Sequence, residues 1–515
     1  MEAPTVLVIG AGIGGITVAA YLAREGFRVT VLEKNKQPGG RCGQFAMDGH
    51  RFDTGPTLFL IPELFTQAFT DLDECVEDHL DLKRIDPSYT IHFNDGTTLE
   101  LTSDMDGMRA QLESIEVGSF DGYLRYLEEG RKHYAISVPG LVKRNFRSAF
   151  EFFSLRNLLL FLRLKPLKKH YDNVGTFISD HRLKIALTFQ DMYVGLSPYE
   201  APALFSLLQY AETVDGVWLP MGGMYRVTEA LEGIAKKWGT QFIYNTPVER
   251  INLNGKYASG VTFADGRRMN ADVIIANADL PYVYRHLLPD EAAANRIERK
   301  EFSCSTLMFH WGVDKQFPQL GTHNLFFGDD SKRSFDQIFD ELDLPDSPSF
   351  YVHTPVRIDP SFAPDGQDSL TVIVPVGHKD CDESLQDWPG IQERARREIL
   401  RRLGQIGIHD LEAHIKFEVT VNPCDWQDYL NLAKGATHGL SHKILQMGYL
   451  RPHNQHAHYR NLYFVGASTH PGTGLPTVLV SARHVADSIF QDVGFRRTAR
   501  EKRQEAVMQG EPSLN

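Results

Sequence analysis

Near its start the chain carries continuous apolar runs where an exposed strand would alternate. Residues 5–9 read Thr-Val-Leu-Val-Ile, a β-branched run with no polar face, which suits a strand buried on both sides in a parallel sheet. Gly10-Ala11-Gly12-Ile13-Gly14-Gly15 follows, and apolar positions then recur at helical spacing over 16–25. Gly26 fits the left-handed position past a helix end. Residues 28–32 read as a second buried strand, which delivers Glu33. Strand, glycine turn, helix, strand and acid within 33 residues predict a βαβ unit.

Further on, Thr90-Ile91-His92-Phe93 and Thr98-Leu99-Glu100-Leu101 flank Asn94-Asp95-Gly96-Thr97 and predict a hairpin. A second hairpin is expected where 261–263 meets Ala264-Asp265-Gly266, with 271–276 as an apolar return strand. Residues 105–235 read as mostly helical, with a helix from about Tyr225 toward Lys237 near their end. From 300 to 420, strands mix with helices such as 391–403, and Pro360, Pro364 and Gly366 mark turns. The last unit is a strand over 461–466, a Gly/Pro-rich loop and a helix over 477–491, before a polar tail from Arg496. No repeat at solenoid periods is present.

Composition narrows the class. The 515 residues suggest two to four domains at about 150 residues each. Apolar content of 42% and charged content of 23% exclude low-complexity and collagen-like chains. A net charge of −12 argues against a nucleic-acid-binding surface over the whole molecule. The five cysteines, at 42, 75, 304, 381 and 424, form no CxxC pair or zinc spacing and fit reduced intracellular thiols. Met1-Glu2-Ala3-Pro4 lacks the basic start of an export signal. No stretch approaches the roughly 18 apolar residues of a spanning helix. An intracellular protein without a membrane span is expected.

Gly10-x-Gly12-x-x-Gly15 supplies a turn on which a backbone can approach a pyrophosphate at a helix N-terminus. With a strand before, a helix after and Glu33 eighteen residues past Gly15, the context is that of a dinucleotide site. Glu33 would accept from ribose hydroxyls and repel a 2′-phosphate. Gln37-Pro38-Gly39-Gly40-Arg41-Cys42 and Asp53-Thr54-Gly55-Pro56-Thr57 come next. A Gly-Gly-Arg turn offers backbone donors and a guanidinium to a second stretch of phosphate or ribose, which an NAD-binding unit does not need.

Gly10–Gly15, Glu33 and Gly39-Gly40-Arg41 together resemble the amino-terminal signature of FAD-dependent amine oxidases and phytoene desaturases. The stretch Asn461-Leu-Tyr-Phe-Val-Gly466-Ala-Ser-Thr-His470-Pro-Gly-Thr-Gly474-Leu-Pro476 resembles the bacterial and fungal carotenoid (phytoene) desaturases, as do Arg451-Pro452-His453-Asn454 and Pro220-Met-Gly222-Gly223-Met224. The resemblance implies an α/β fold: a Rossmann-like FAD-binding domain built from discontinuous segments, 1–75, 220–285 and 435–495. It further implies an inserted mixed β-sheet substrate domain (76–135 and 286–434) and a helical, membrane-associating subdomain (136–219), with 496–515 as the tail.

The cofactor implied is non-covalent FAD. Its candidate residues are Gly10, Gly12, Gly14, Gly15, Glu33, Lys34, Gly39, Gly40, Arg41, Gly55, Pro56, Thr57, Val248, Asn277, Gly466, Gly474, Leu475, Pro476, Thr477 and Val478. By resemblance, Val248 frames the adenine, 271–279 returns the chain to the flavin domain, and Gly466 approaches the pyrophosphate and ribityl chain. Gly474–Val478 would present backbone N–H groups to the flavin's pyrimidine edge. Two departures stand out. Ala467 replaces the acid that monoamine oxidase relatives often carry after the glycine. No cysteine follows Cys424, which leaves no carboxy-terminal cysteinyl–flavin bond. Residues 506–515 also lack the hydrophobic anchor of fungal relatives, so none is expected.

The window 141–169 holds eight Lys/Arg (Lys143, Arg144, Arg147, Arg156, Arg163, Lys165, Lys168, Lys169) against Glu151, with Phe146, Phe150, Phe152, Phe153 and Leu158–Phe161 interleaved. Such a stretch fits an interfacial helix on an anionic membrane surface; a solvated helix packed on the core is the alternative. No nucleic acid partner is expected. His438 and His442 could chelate a metal only if helical and only with a third ligand, so no metal is assigned. His470 is expected to serve loop hydrogen bonding.

The function implied is desaturation of a long lipophilic isoprenoid, phytoene or a related carotenoid, by hydride transfer to flavin, with quinone or oxygen as electron acceptor. No triad is expected and no catalytic base is named. Alternatives are a flavin-dependent isomerase or oxidase of another lipophilic isoprenoid or secondary metabolite, a non-redox prenyl-lipid binding protein, and an amine oxidase. Substrate length, step number and oligomeric state stay open.

Overall fold

The computed structural model describes residues 3–146, 148–379 and 386–494. Strands from three distant parts of the chain assemble a five-stranded parallel sheet, in the order Leu462–Phe464, Val273–Ala276, Thr5–Ile9, Arg28–Leu32 and Gln241–Ile243. Its continuous apolar runs follow from cover on both faces. Val6, Val8, Val29, Val31, Val273 and Ile275 pack against the helices Ile13–Arg24, Tyr225–Lys237 and Leu475–Asp492. Leu7, Ile9, Leu32, Ile274 and Ala276 pack on the opposite face against Ile251, Val261 and Phe263. Those belong to an antiparallel sheet of Val248–Asn254, Tyr257–Phe263 and Arg268–Asn270.

Two local expectations need correction. The first helix begins at Ile13 with Gly12 as its cap, so Gly14 and Gly15 lie in its opening turn. The second hairpin closes on Arg268–Asn270, after a turn in which Gly266 adopts φ +82°. Val273–Ala276 is not its return arm. All four of its residues are buried, and a strand without a polar face gains more between two parallel neighbours than at a solvated hairpin edge.

A seven-stranded mixed sheet has the order Ile415–Val421, Ser305–Val313, Asp368–Val376, Phe350–His353, His323–Phe326, Tyr89–His92 and Thr98–Leu101. The expected first hairpin forms its edge, from Tyr89–His92 and Thr98–Leu101. Helix Trp388–Gln405 covers one face, burying Ile391, Ala395, Ile399 and Leu403 against Phe309, Trp311 and Val372. Helix Ser119–Ser137 crosses the boundary drawn at 135/136 and packs against Ser206–Val214.

The 141–169 window is not one helix. It contains the short helices Ala149–Phe152 and Leu155–Arg163, opened by Ser148 and Ser154, whose side chains accept N–H bonds from Glu151 and Asn157. Serine at those positions favours helix starts, which breaks the run in two. Arg147, Cys381 and the tail from residue 495 lie outside the described residues. Among the described residues, no helix is long and apolar enough to cross a membrane.

Candidate active site

The glycine turn is built by close approach. A Cβ on Gly15 would lie 2.2 Å from the Gly10 carbonyl oxygen, and one on Gly12 would lie 2.7 Å from Asn277 Oδ1. Asn277 is held by donating from Nδ2 to the Val465 carbonyl at 3.0 Å. The Gly-Gly-Arg turn stacks on this one: Gly39, at φ +113°, donates its N–H to the Ala11 carbonyl at 2.8 Å. Glu33 leaves the second strand with its carboxylate fixed, accepting the Ala11 and Asn35 N–H groups at 2.8 and 2.9 Å.

Two helices start at this place without a side-chain cap, Ile13–Arg24 at Gly12 and Leu475–Asp492 at Gly474. Their first-turn N–H groups have no intrahelical acceptor, and Gly12, Gly14, Leu475 and Thr477 all border one cavity of about 1040 Å³. Nineteen of the twenty candidate residues line that cavity. Gly15 does not; it lies beneath, where its missing side chain admits the Gly10 carbonyl. Lys34 lines the cavity but spends its ammonium on the Asp428 carbonyl and Asn431 Oδ1, at 3.0 and 2.8 Å. Thr57 shares a 2.8 Å hydrogen bond with the Tyr351 hydroxyl.

Several residues of this region were absent from the sequence-derived set. Arg451 is wholly buried, and its five N–H groups donate to the carbonyls of Thr469, Ser441, Gln446, Leu440 and Ala467 at 2.6–3.0 Å. It ties the 440–446 loop to the 467–469 loop. Burial pulls its guanidinium down to about 9, against the pull of Asp279, so it stays a cation at neutral pH. Asn454 Nδ2 joins the carbonyls of Phe464 and His470 to Ser481 Oγ. Asp279 accepts from Ser468 Oγ at 2.6 Å and from the Ala433 N–H at 3.1 Å. The Arg451 and Asn454 motif was visible, but burial and acceptor count are tertiary facts.

The histidines here are neutral. Burial, with Arg41 beside it, pushes His438 down to about 4, and burial takes His470 to about 3 and His484 to about 4. His442 accepts the Thr473 N–H at Nε2, and His470 Nε2 bonds the Arg144 carbonyl at 2.8 Å. His438 and His442 lie on a loop rather than a helix, and among the described residues no His/Cys/Asp/Glu group is arranged for a metal. Arg41, donating to the Thr437 carbonyl, and Arg451 are therefore the local cations.

Away from the glycines the cavity becomes apolar. Met308, Leu325, Phe350 and Ile373 reach it from the seven-stranded sheet, and Phe152, Phe161 and Leu164 from the basic window. Phe153, Leu158, Leu167 and Leu445 both line the cavity and stand exposed, Leu167 at 87%, so the cavity opens among them. Four of the window's bases meet acids: Lys143 with Glu63, Arg144 with Glu151, Lys165 with Glu129 and Lys169 with Glu200. The local excess of charge is thus smaller than the linear count.

A parallel sheet carrying a glycine-lined dinucleotide cleft that opens into an apolar chamber defines a flavin-dependent oxidoreductase. A family model described as flavin containing amine oxidoreductase matches residues 13–490. The zeta-carotene-forming phytoene desaturase of Myxococcus xanthus is 43% identical over 487 residues, 94% of this chain and 93% of that one. The phytoene desaturase of Fusarium fujikuroi is 40% identical over 515 residues, 96% of this chain and 90% of that one. Putrescine oxidase bound to putrescine shares the fold, with a TM-score of 0.61 at 16% identity over 95% of this chain and 99% of that one. The chain belongs to the flavin-containing amine oxidoreductases and, within them, to the carotenoid desaturases. It is a FAD-dependent desaturase acting on CH–CH groups. The uncapped helix starts and the glycines closed to a Cβ fit that cofactor.

Proposed function

We propose that this enzyme desaturates phytoene or a related carotenoid, taken directly from a membrane surface. The observation that carries the reading is an inverted helix at the cavity opening. In Leu155–Arg163 the polar Asn157 is buried, donating to the Glu151 carbonyl at 2.8 Å, while Leu155, Leu158, Leu159 and Leu162 face outward, Leu155 at 73% exposure. Phe150, 92% exposed, and Leu445, 74% exposed, extend this patch. In water such a face costs about 25 cal/mol per Å²; in a lipid interface the same face is the anchor. Among the described residues, Arg156, Arg163 and Lys168 carry no recorded ion pair and suit anionic headgroups, each at about 1 kcal/mol.

In this reading FAD, when bound, supplies the hydride acceptor. Gly10, Gly12, Gly14, Gly39 and Gly40 make room for its pyrophosphate, with Gly15 supporting the turn, and Glu33 holds the ribose hydroxyls. Lys34 and Val248 would border its adenosine side, Asn277 the glycine turn, and Arg41, Gly55, Pro56, Thr57 and Gly466 its ribityl side. Leu475–Val478 present the second helix start to the redox end. Arg41 and Arg451, among neutral histidines, favour the negative charge that arrives there on reduction. The sheet of 305–313, 350–353 and 368–376 orients the hydrocarbon, and the segments 1–75, 220–285 and 435–495 act as the cofactor domain. Quinone or oxygen reoxidises the cofactor.

The test is incubation of FAD-loaded protein with phytoene in anionic liposomes and a quinone, followed by lipid chromatography. Longer conjugated chromophores are expected. Unchanged phytoene with intact FAD overturns the substrate assignment, and equal turnover in neutral and anionic liposomes overturns the role of the basic window.

A further inference from the structure

Beneath the apolar chamber lies a polar island that desaturation by hydride transfer alone does not use. Tyr89, on the strand Tyr89–His92 next to the sheet edge, and Tyr193, on the turn Phe189–Val194, both line the cavity. Their hydroxyls are in short contact with each other. Tyr89 donates onward to Glu212 Oε1 at 3.1 Å, and Gln190 donates to Glu212 Oε2 at 2.9 Å. Glu212 itself does not line the cavity and is buried on the helix Ser206–Val214. Tyr193 also sits beside Val194, whose carbonyl faces His442, the residue that accepts the Thr473 N–H of the Gly472–Gly474 loop. Both tyrosines thus border the same chamber as the Gly472–Gly474 loop.

We propose that the Tyr193 and Tyr89 hydroxyls take the proton that leaves the substrate during desaturation and pass it to the Glu212 carboxylate. The proposal rests on the desaturase reading above. One C–H bond breaks toward FAD with its electron pair. The neighbouring C–H bond leaves its pair behind as the new C=C π bond, and its proton goes to the Tyr193 oxygen. Tyr193 hands its own proton to Tyr89, and Tyr89 hands its proton to Glu212, which becomes a neutral acid. The substrate loses a hydride, for which FAD when bound would be the acceptor, and a proton, and both tyrosines end as they began. After the product leaves, Glu212 returns its proton along the same two hydroxyls to the open cavity.

The surroundings suit that role. Burial drives Glu212 up to about 7, with Gln190, Tyr193 and Tyr89 holding it back by hydrogen bonding, so it is poised to gain and lose a proton near neutrality. The ionisable groups that interact with it are Tyr89 from the strand Tyr89–His92, Tyr193 from the 189–194 turn, and Tyr123 and Tyr126 from the helix Ser119–Ser137. Beyond Tyr126 lies the buried pair His170–Asp191, and beyond Tyr89 the neutral His323. Gln at this position keeps an acceptor for Tyr89 but sets its amide nitrogen against the Gln190 donor, whereas Asp keeps both acceptors and the titrating group, so the two variants are read together. That difference makes the idea testable.

The experiment is single-turnover reduction of the FAD-loaded protein by phytoene in anionic liposomes across a pH series. The wild-type rate should rise with pH as Glu212 ionises and level off above it. Glu212→Gln should slow reduction by about 100-fold or more and remove the inflection, with FAD content and circular dichroism unchanged. Glu212→Asp should restore part of the rate and the inflection, and Tyr193→Phe should slow the step. A wild-type rate and pH profile in Glu212→Gln overturns the relay. Infrared titration without substrate is the independent arm: a protonated-carboxyl band should vanish near neutral pH in the wild type and be absent from Glu212→Gln. If wild-type protein leaves phytoene untouched, the substrate reading fails, and a carboxyl band that does not titrate near neutrality overturns the relay separately.

Discussion

Replacing Arg451 by lysine keeps the buried positive charge and changes only the number of donors. Arginine offers five N–H groups, and here each meets one main-chain carbonyl, those of Thr469, Ser441, Gln446, Leu440 and Ala467. Lysine offers three, so at least two carbonyls are left without a donor in a site closed to water. At about 1–3 kcal/mol for each stranded group, Arg451→Lys should cost about 2–6 kcal/mol. That is a large share of the roughly 5–15 kcal/mol that holds a protein folded. Arg451→Met strands all five but also removes the cost of burying a charge, so its loss should be less than five times the single-carbonyl figure. Because the carbonyls belong to the 440–446 and 467–469 loops at the cavity wall, the local effect should exceed the global one. Urea unfolding monitored by circular dichroism gives the first quantity, and flavin absorbance after gel filtration gives the second. Arg451→Lys with a wild-type urea midpoint and full FAD content would refute the reasoning, because it would mean that the five bonds are not what joins the loops.

Gly15→Ala should abolish FAD retention, since its Cβ would sit 2.2 Å from the Gly10 carbonyl oxygen; flavin content of the purified variant checks this. Changing Leu155, Leu159 and Leu162 together to serine should leave thermal stability within about 0.5 kcal/mol per site but weaken sedimentation with anionic liposomes. An unchanged liposome-bound fraction would contradict the interfacial face. Adding salt should weaken the same binding through Arg156, Arg163 and Lys168, with exposed charges screened beyond about 8 Å at physiological ionic strength. The raised pKa of Glu212, from 4.5 to about 7, means that the folded state holds a proton the unfolded state has released. Stability should therefore be highest below pH 4.5 for this group and fall by on the order of 3 kcal/mol as pH rises to about 7, then level off. Glu212→Gln should flatten that slope in pH-dependent urea titrations.

What could be read from the linear chain was whatever local chemistry dictates. Residues 5–9 announce a buried strand because no solvated strand lacks a polar face, 28–32 place Val29, Val31 and Leu32 inside with Arg28 exposed, and the observed strands have those bounds. The helix Tyr225–Lys237 was legible from its apolar stripe, and it starts where the buried Asp53 accepts the Met224 and Tyr225 N–H groups. The return strand of the second hairpin was misassigned because an apolar run of four residues carries no mark of its partner; pairing is a tertiary choice. The net charge of the basic window could not be read from the window alone, since Glu63, Glu129 and Glu200 come from outside it. The Tyr89, Tyr193 and Glu212 cluster could not be seen at all: its members are separated by 104 and 123 positions and share no motif. Among the nineteen candidate residues on one cavity wall, those of the two glycine turns and Glu33 were reachable from local chemistry, whereas Val248, Asn277, Gly466 and 474–478 came from the family resemblance.

The cofactor sheet has a consequence for how the protein is made. Its central strand, Thr5–Ile9, leaves the ribosome first, but one neighbour is Val273–Ala276 and the far edge is Leu462–Phe464. Until residue 276 is made, the nascent chain therefore exposes one edge of an apolar strand whose other neighbour, Arg28–Leu32, is already present, and loop closure over hundreds of residues is slow. The second uncapped helix start, at Gly474, emerges later still. Productive loading of the dinucleotide must then be a late event in biogenesis. Expression yield should respond to chaperone supply and to flavin available at the end of translation, more than to any change in the first two hundred codons.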